Sequence, residues 1–240
     1  MNELSVVVPY DASTETLFSF IDELSFYLME NPGDVDVIIV ANESTGLGQE
    51  SVKRIRGKYP WLKFSVLLRK KHHEYGALVR FGIAYSLSLY VVVVSPYGEN
   101  DISIIGQMLG QMRRGVQLVQ TTRLVNEGDR RLESLKFRVY QGIYRFWVTV
   151  LLGQRIKDST YMFKMFDRVM VQTLGLSQNG YSISPEITLK VLLAGGRIST
   201  MSSKMKTAPI NRNFKLYREG LGFGWVLLRG LLHRGGLKWF

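Results

Sequence analysis

The chain has 240 residues, 46% of them hydrophobic, and a formal net charge of +11. This length suits one sizeable α/β core, the absence of cysteine excludes disulfides and thiolate metal sites, and no apolar stretch reaches the roughly 18 residues that span a bilayer. The charge predicts an anionic partner, which is a nucleic acid, a phospholipid or a phosphorylated ligand. Outside the C-terminal part the basic residues are dispersed and carry no nucleic-acid-binding signature, so we expect no nucleic-acid partner.

The first hundred residues alternate strand and helix patterns. A strand at 4–9 is followed by a helix that Ser13 or Thr14 can cap, and a turn at 31–34 leads to a second buried strand. This βαβ order predicts parallel strands. The second strand covers 35–40, and it is followed by a helix at 49–59, a strand at 64–68, a helix at 77–88 and a strand at 90–94. The series is typical of a doubly wound, Rossmann-like half.

The second half of the chain continues with longer helical patterns. Its predicted elements are a helix at 102–114, a strand at 116–121, a long helix at 132–152, a strand at 161–166, a helix at 186–194 and a strand at 197–206. We therefore predict one α/β domain over residues 1–206, with a mainly parallel twisted sheet and helices on both faces. Residues 207–240 form a separate basic amphipathic segment in this interpretation.

The fourth predicted strand ends without acidic residues. The apolar run from Tyr90 to Val94 stops at the turn sequence Ser95-Pro96-Tyr97-Gly98, and the first acids after it are Glu99 and Asp101. Ligand chemistry in an open α/β sheet takes place at such carboxyl ends. A hydroxyl, a pyrrolidine and a phenol offer no charged oxygen to a hard cation. We expect no tightly bound metal, while weak binding of Mg²⁺ or Mn²⁺ stays open.

Several motifs occur in one order along nearly the whole chain. They are Val6-Val7-Val8-Pro9-Tyr10, the strand 37–40 leading into Ala41-Asn42-Glu43-Ser44-Thr45, Arg69, Gly76-Ala77 to Gly82, Thr122-Arg123, Asp158-Ser159-Thr160, Phe163-Lys164, and Gly180-Tyr181 through Glu186. This order resembles family 2 glycosyltransferases of the GT-A fold, and most closely dolichol-phosphate mannose synthases and related polyprenyl-phosphate sugar transferases. The chain departs from that family where Ala41 and Asn42 replace two acids and where Ser95-Pro96-Tyr97 replaces the Asp-x-Asp metal motif.

The resemblance implies a set of donor-binding and catalytic residues. Asp158 and Glu186 are the retained carboxylates to which it assigns catalysis. The implied donor-binding residues are Pro9, Tyr10, Asn42, Arg69, Tyr97, Arg123 and Lys215, the last within a segment that resembles the family's mobile Ser-Lys segment. Simpler interpretations remain open: Asn42 caps a loop, Tyr10 packs in the core, and Glu186 belongs to an ordinary helix start capped by Ser184.

A diphosphate bound without a metal needs positive side chains. Such groups follow the third strand at Lys70, Lys71, His72 and His73, and the fifth strand at Arg123, Arg130 and Arg131. A solvated basic loop is the alternative for 70–73.

The C-terminal segment combines large apolar residues with cations. The run from Trp225 to Leu232, with Trp239-Phe240 beyond it, is typical of a helix that lies in a lipid interface, but it also suits packing on the core or on a second subunit. The N-terminus has no basic, cleavable apolar leader. We therefore predict a cytoplasmic protein associated peripherally with the membrane.

These features lead to one predicted function and one alternative. The prediction is an enzyme, a hexosyltransferase that moves a sugar from a nucleotide-sugar donor to a polyprenyl phosphate or another membrane-proximal acceptor. The alternative is a catalytically degenerate GT-A scaffold that binds or regulates a partner glycosyltransferase, because several family acids are missing together. Assembly into a homo-oligomer also stays open.

Overall fold

A seven-stranded sheet forms the centre of the molecule. The computed structural model of the chain describes residues 2–10, 14–70, 73–122, 135–152, 158–203 and 216–237. The strands are β1 (Leu4–Tyr10), β2 (Val35–Asn42), β3 (Phe64–Arg69), β4 (Tyr90–Val93), β5 (Leu118–Thr122), β6 (Lys164–Asp167) and β7 (Ile198–Ser202). Their order in the sheet is β3-β2-β1-β4-β6-β5-β7. β6 runs antiparallel to both of its neighbours, and the other paired strands are parallel, which confirms the mainly parallel α/β fold.

Eight α-helices are described around this sheet. They are α1 (Thr14–Glu30), α2 (Gln49–Lys58), α3 (Tyr75–Tyr85), α4 (Ile105–Arg113), α5 (Leu135–Leu152), α6 (Arg168–Thr173), α7 (Ile183–Leu193) and α8 (Leu216–Arg234). The sequence pattern did not predict α6, which is only six residues long and begins where the Asp167 side chain accepts a hydrogen bond from the Met170 N–H. α7 begins three residues before its predicted start, so Ser184 lies inside the helix and does not cap it.

The central strands are buried on both faces, because alternate residues enter different cores. Val6 and Val8 of β1 pack with α1 and α4, whereas Val7 packs on the opposite face with α3 and α7. This explains the near-continuous apolar sequence of the central strands. Because β1 to β4 are paired in parallel, their carboxyl ends lie at one edge of the sheet, together with the polar residues described below.

α8 packs on the body of the protein. Tyr144 and Val148 of α5 form a third apolar cluster with Phe223 and Val226 of α8 and with Leu189 of α7. The connection at 204–215 lies outside the described residues, and the predicted boundary at 206 stays a prediction. Within the described ranges, every helix is too short or too polar to cross a bilayer.

Candidate functional site

The ends of β1, β2 and β3 place three predicted donor-binding residues at one edge. Tyr10 is in register with Ala41, and Asn42 is in register with Arg69, so Tyr10, Asn42 and Arg69 end three neighbouring strands. Pro9 is buried beside Tyr10. The Tyr10 side chain is fully buried in the core that α1 and α4 cover. The structure thus places these strand ends side by side, with the Tyr10 ring packed in the core, and donor binding by these residues stays a prediction.

Asn42 binds the backbone that follows β3. Its Nδ2 donates to the His73 carbonyl over 3.0 Å, and its Oδ1 accepts from the His73 N–H over 2.9 Å. The side-chain amide therefore pairs with both backbone groups of one residue, as a residue of a neighbouring strand would. Asn42 is 1% exposed, so this pair is also shielded from water. Asn42 thus orders a loop, but this is the loop after β3 and not the loop that follows its own strand β2. Its contact with a nucleotide base stays a prediction.

Arg69 extends along the outer side of α3. Its guanidinium lies 4.1 Å from the centre of the Phe81 ring, and its Nη2 lies 3.4 Å from His73 Nε2. Arg69 and His73 form one end of a groove of about 970 Å³. Residues of α3 at helical spacing line its floor, namely Ala77, Arg80, Phe81 and Ala84. We did not predict this groove, although the 77, 80, 81, 84 spacing is a signal that could have indicated it.

The turn after β4 is held by a pair of buried side chains. Asn100 Oδ1 accepts from the Ser95 N–H over 2.6 Å, and Asn100 Nδ2 donates to the Tyr161 hydroxyl over 2.6 Å. The Tyr161 hydroxyl donates in turn to the Glu99 carbonyl over 3.2 Å. Tyr97 is partly exposed at the tip of this turn. Asn100 was not predicted as a site residue, because its role depends on Tyr161, which is 61 residues away.

Residues 95–97 of this turn offer no carboxylate to a divalent cation, and the absence of a tightly bound metal stays a prediction. Ser95, Pro96 and Tyr97 offer no carboxylate, and Asp101 caps the following 3₁₀ turn by accepting from the Ser103 N–H and hydroxyl. Across the described ranges, no three His, Cys, Asp or Glu side chains gather where they could hold a metal. A hard cation prefers several charged oxygens, and this turn supplies none from residues 95–97.

Asp158 is bonded to its own turn. Its Oδ1 accepts from the Thr160 N–H, the Thr160 hydroxyl and the Tyr161 N–H, at 2.9 to 3.2 Å. The residue is 3% exposed. This carboxylate shapes the segment that enters β6, the same segment that carries the Tyr161 hydroxyl. The catalytic role of Asp158 stays a prediction.

Lys164 joins that segment to α7. Its buried Nζ lies 2.7 to 2.9 Å from four oxygens: the Ser159 carbonyl, the Ser184 carbonyl and hydroxyl, and the Thr188 hydroxyl. An ammonium has three N–H groups, so these four acceptors use all of them. Lys164 therefore fixes the 158–160 turn against α7 and has no donor left for a ligand.

Glu186 faces a different side of α7. Ser184 and Thr188 contact Lys164, and Glu186 is two residues from each, about 200° around the helix. Its carboxylate accepts from the Ser177 N–H and hydroxyl and from the Gln178 N–H, and it lies 3.1 Å from Lys190 Nζ. Asp158 and Glu186 thus share none of the described hydrogen-bond partners. Catalysis by Glu186 stays a prediction, and the geometry shows a carboxylate already bonded within the protein.

Some predicted residues lie outside the described ranges. These are Arg123, Lys215, Lys71, His72, Arg130 and Arg131. Two carboxyl groups at the amino end of the sheet have shifted pKa values. The hydrogen bond from Arg113 holds the pKa of Glu3 below its usual value, and burial raises the pKa of Asp36 at the start of β2.

Solved structures of similar fold include an enzyme that acts on a nucleotide sugar. Glucosyl-3-phosphoglycerate synthase from Mycobacterium tuberculosis in complex with uridine diphosphate is 18% identical, with a TM-score of 0.68 over 99% of this chain and 81% of that one. Its complex with Mn²⁺, uridine-diphosphate-glucose and phosphoglyceric acid gives 18% identity and a TM-score of 0.67 over the same shares. A further mycobacterial protein is 17% identical, with a TM-score of 0.68 over 99% and 76%. No protein-family model and no curated protein matches the chain.

These similarities confirm the predicted GT-A type of α/β fold. Identities below 20% show a shared fold and leave activity open. The closer resemblance to polyprenyl-phosphate sugar transferases, and the loss of the metal motif, stay predictions.

Proposed function

We propose that the protein is a hexosyltransferase that takes its sugar from a nucleotide-sugar donor, binds the diphosphate without a tightly bound metal, and transfers the sugar to a polyprenyl phosphate or another membrane-proximal acceptor. The observation that carries this proposal is the edge at which β1, β2 and β3 end in Tyr10, Asn42 and Arg69. That edge belongs to a fold shared with an enzyme solved with uridine diphosphate and its glucose conjugate.

The proposed diphosphate binding depends on cationic side chains. The turn after β4 lacks charged oxygens at 95–97, so a metal ion would gain little there. Arg69 lies at the same edge, and a guanidinium binds phosphate oxygens through paired N–H groups. Arg69 is only partly buried, so it can turn from Phe81 toward a ligand.

The proposed acceptor suits the state of the two carboxylates. Asp158 and Glu186 each accept several hydrogen bonds from the protein, so both carboxylates are already bonded to its own backbone and hydroxyl groups. A hydroxyl acceptor needs a general base, whereas a phosphate acceptor is already anionic near neutral pH. A phosphorylated acceptor therefore reduces the demand for a catalytic base.

Calorimetric titration of uridine diphosphate and uridine-diphosphate-glucose tests donor binding. We expect binding in the presence of a chelator, little gain with Mn²⁺, and weakening at high salt. R69M should weaken binding about tenfold or more, as expected for loss of a charged hydrogen bond. The control R114M removes an exposed arginine at the opposite end of the sheet and should bind like the wild type. Binding that requires Mn²⁺, or no binding of any nucleotide sugar, contradicts the proposal.

A non-catalytic scaffold is the second candidate function, because Asp158 and Glu186 both accept hydrogen bonds from nearby loop residues of the protein itself. Release of uridine diphosphate from the sugar nucleotide in the presence of a polyprenyl phosphate separates the two. Turnover that R69M lowers and R114M preserves excludes the scaffold, and donor binding without turnover on any lipid phosphate supports it.

A further inference from the structure

Exposed apolar side chains are concentrated on α5 and α8. On α5 they are Val139, Ile143, Phe146, Trp147 and Val150, and on α8 they are Leu221, Trp225, Leu228 and Leu231. Phe146 is 61% and Leu221 is 77% exposed. Single exposed apolar residues are ordinary on a protein surface, but nine on two helices are not. We call these nine side chains the α5–α8 face.

The spacing of these residues makes each set a stripe. On α8, residues 221, 225, 228 and 231 follow the helical repeat, and the buried residues Phe223, Val226 and Gly230 follow it on the opposite side. α8 is therefore apolar both toward the protein and away from it. A helix with apolar residues on both sides is typical of one that is covered on both sides.

The two stripes lie on neighbouring helices. Tyr144 of α5 and Phe223 of α8 are 5.7 Å apart between ring centres, and Val148 and Val226 belong to the same cluster. The helices thus pack directly against each other through these buried residues, and each helix carries its exposed stripe away from that contact.

The charge of this region selects the partner. The sequence of α5 contains Lys136, Arg138 and Arg145 and no acid, and the sequence of α8 contains Glu219 as its single acid. Glu219 is turned inward, because it is 9% exposed and its Oε2 accepts from the Tyr181 N–H over 2.9 Å. Glu219 is therefore bonded inside the protein and does not offset the positive charge of α5 and α8 at the surface.

An anionic lipid surface satisfies both properties at once. The acyl region accepts the apolar stripes, tryptophan prefers the interfacial zone, and anionic headgroups attract the arginines and lysines. A second copy of the chain fits less well, because its α5 and α8 would add the same cations again and the sequences of these helices contain no acid other than the inward-turned Glu219.

We propose that the α5–α8 face binds the surface of a membrane that contains anionic lipid. The end of α5 is separated from Asp158 by a short length of chain. α5 ends at Leu152 and Asp158 follows six residues later, so the two are at most about 22 Å apart whatever the path between them. The face can be tested apart from the proposed function, because lipid binding requires no donor and no turnover.

Co-sedimentation of the full chain with vesicles measures this binding. We expect binding to vesicles of phosphatidylcholine with phosphatidylglycerol, weak binding to phosphatidylcholine alone, and a loss of binding at high salt. L221S/W225S should lower the partition coefficient by roughly tenfold or more, since two large apolar side chains no longer enter the lipid. Tryptophan emission should shift to shorter wavelength on binding in the wild type.

The matched control changes two equally exposed apolar residues elsewhere. Phe26 and Met29 of α1 are each 64% exposed, and F26S/M29S should bind vesicles like the wild type. Equal loss in both variants, or equal binding to neutral and anionic vesicles, overturns the proposal. A dimer that L221S/W225S dissociates, without vesicle binding by the wild type, also overturns it and assigns the face to a second copy. Circular dichroism verifies that both variants are folded.

Discussion

The carboxylate of Glu186 and the ammonium of Lys190 lie 3.1 Å apart on successive turns of α7, and both side chains are almost completely buried. Lys190 also donates to the carbonyls of Leu174 and Gly175, while Glu186 accepts from Ser177 and Gln178. The pair thus binds the first part of the loop that connects α6 to α7, from Leu174 to Gln178. This loop carries one wall of the groove beside α3.

E186Q should destabilise the protein rather than act only on catalysis. Removing one charge of a buried ion pair leaves the other charge uncompensated and costs about 3–5 kcal/mol. We expect this loss in the free energy of unfolding measured by urea denaturation. The double variant E186Q/K190M should recover part of it, because it removes both charges. If E186Q abolishes turnover with unchanged stability, Glu186 is a catalytic residue.

N100A should loosen the turn after β4. The Ser95 N–H loses its acceptor and the Tyr161 hydroxyl loses a partner, and each buried unpaired group costs about 1–3 kcal/mol. If this turn contacts the donor, the affinity for uridine diphosphate should fall as well. Y161F is the control, because it removes only the hydroxyl and keeps the bond between Asn100 and Ser95. Equal effects of both variants on thermal stability and affinity would refute the specific role of Asn100.

G82A should destabilise the contact between α3 and the sheet. A methyl group at Gly82 would overlap Val7 Cγ1 and lie 3.2 Å from Val40 Cγ2. Overpacking of this kind costs about 1–3 kcal/mol. At Gly57 of α2 an added methyl group meets nothing within 4 Å, so G57A should be neutral or stabilising by up to about 1 kcal/mol. Chemical denaturation of both variants gives the comparison.

Stability should fall in acid, in part through two ion pairs on the surface. The Arg113 hydrogen bonds lower the pKa of Glu3, and hydrogen bonds from Lys58 and Tyr59 lower the pKa of Asp22. A carboxyl whose pKa is lower in the folded state stabilises that state above its unfolded pKa, near 4, and the contribution is lost as the pH falls. Asp36 acts in the opposite direction, because burial raises its pKa and favours the folded state at low pH.

E3Q should therefore flatten the acid limb of the pH–stability curve, measured by denaturation between neutral pH and the acid transition. E30Q makes the same chemical change at the exposed end of α1 and serves as the control. A slope that E3Q leaves unchanged would show that the pair between Glu3 and Arg113 contributes nothing to acid unfolding.

The sequence predicts the sheet well and the contacts of its site residues poorly. Strands such as β2 are apolar along most of their length, and this pattern is set locally by burial on both faces. Asn42, by contrast, pairs with His73, and Glu186 pairs with Ser177, over separations of 31 and 9 residues. Such contacts depend on how loops approach strand ends, and no periodic pattern encodes that approach.

The resemblance placed Asp158 and Glu186 in one catalytic set, whereas the structure places them against different partners. Helical spacing alone could have separated Glu186 from Ser184 and Thr188, but only the position of Lys164 shows which side of α7 faces the β6 segment. The sequence indicates an amphipathic segment from Trp225 to Leu232 and leaves its lipid, core and subunit contacts open. The packing of α8 against α5 was not predicted, because that contact requires the tertiary fold.

The position of β6 between β4 and β5 determines the order in which the sheet can form. β6 lies between β4 and β5, yet the chain is synthesised through β5 more than forty residues before it reaches Lys164. The strands β1 to β4 can pair within the first 93 residues, whereas β5 has no neighbour in the sheet until β6 or β7 is made. We expect an N-terminal intermediate with four paired strands, and slow insertion of the late strand as the step that completes the sheet.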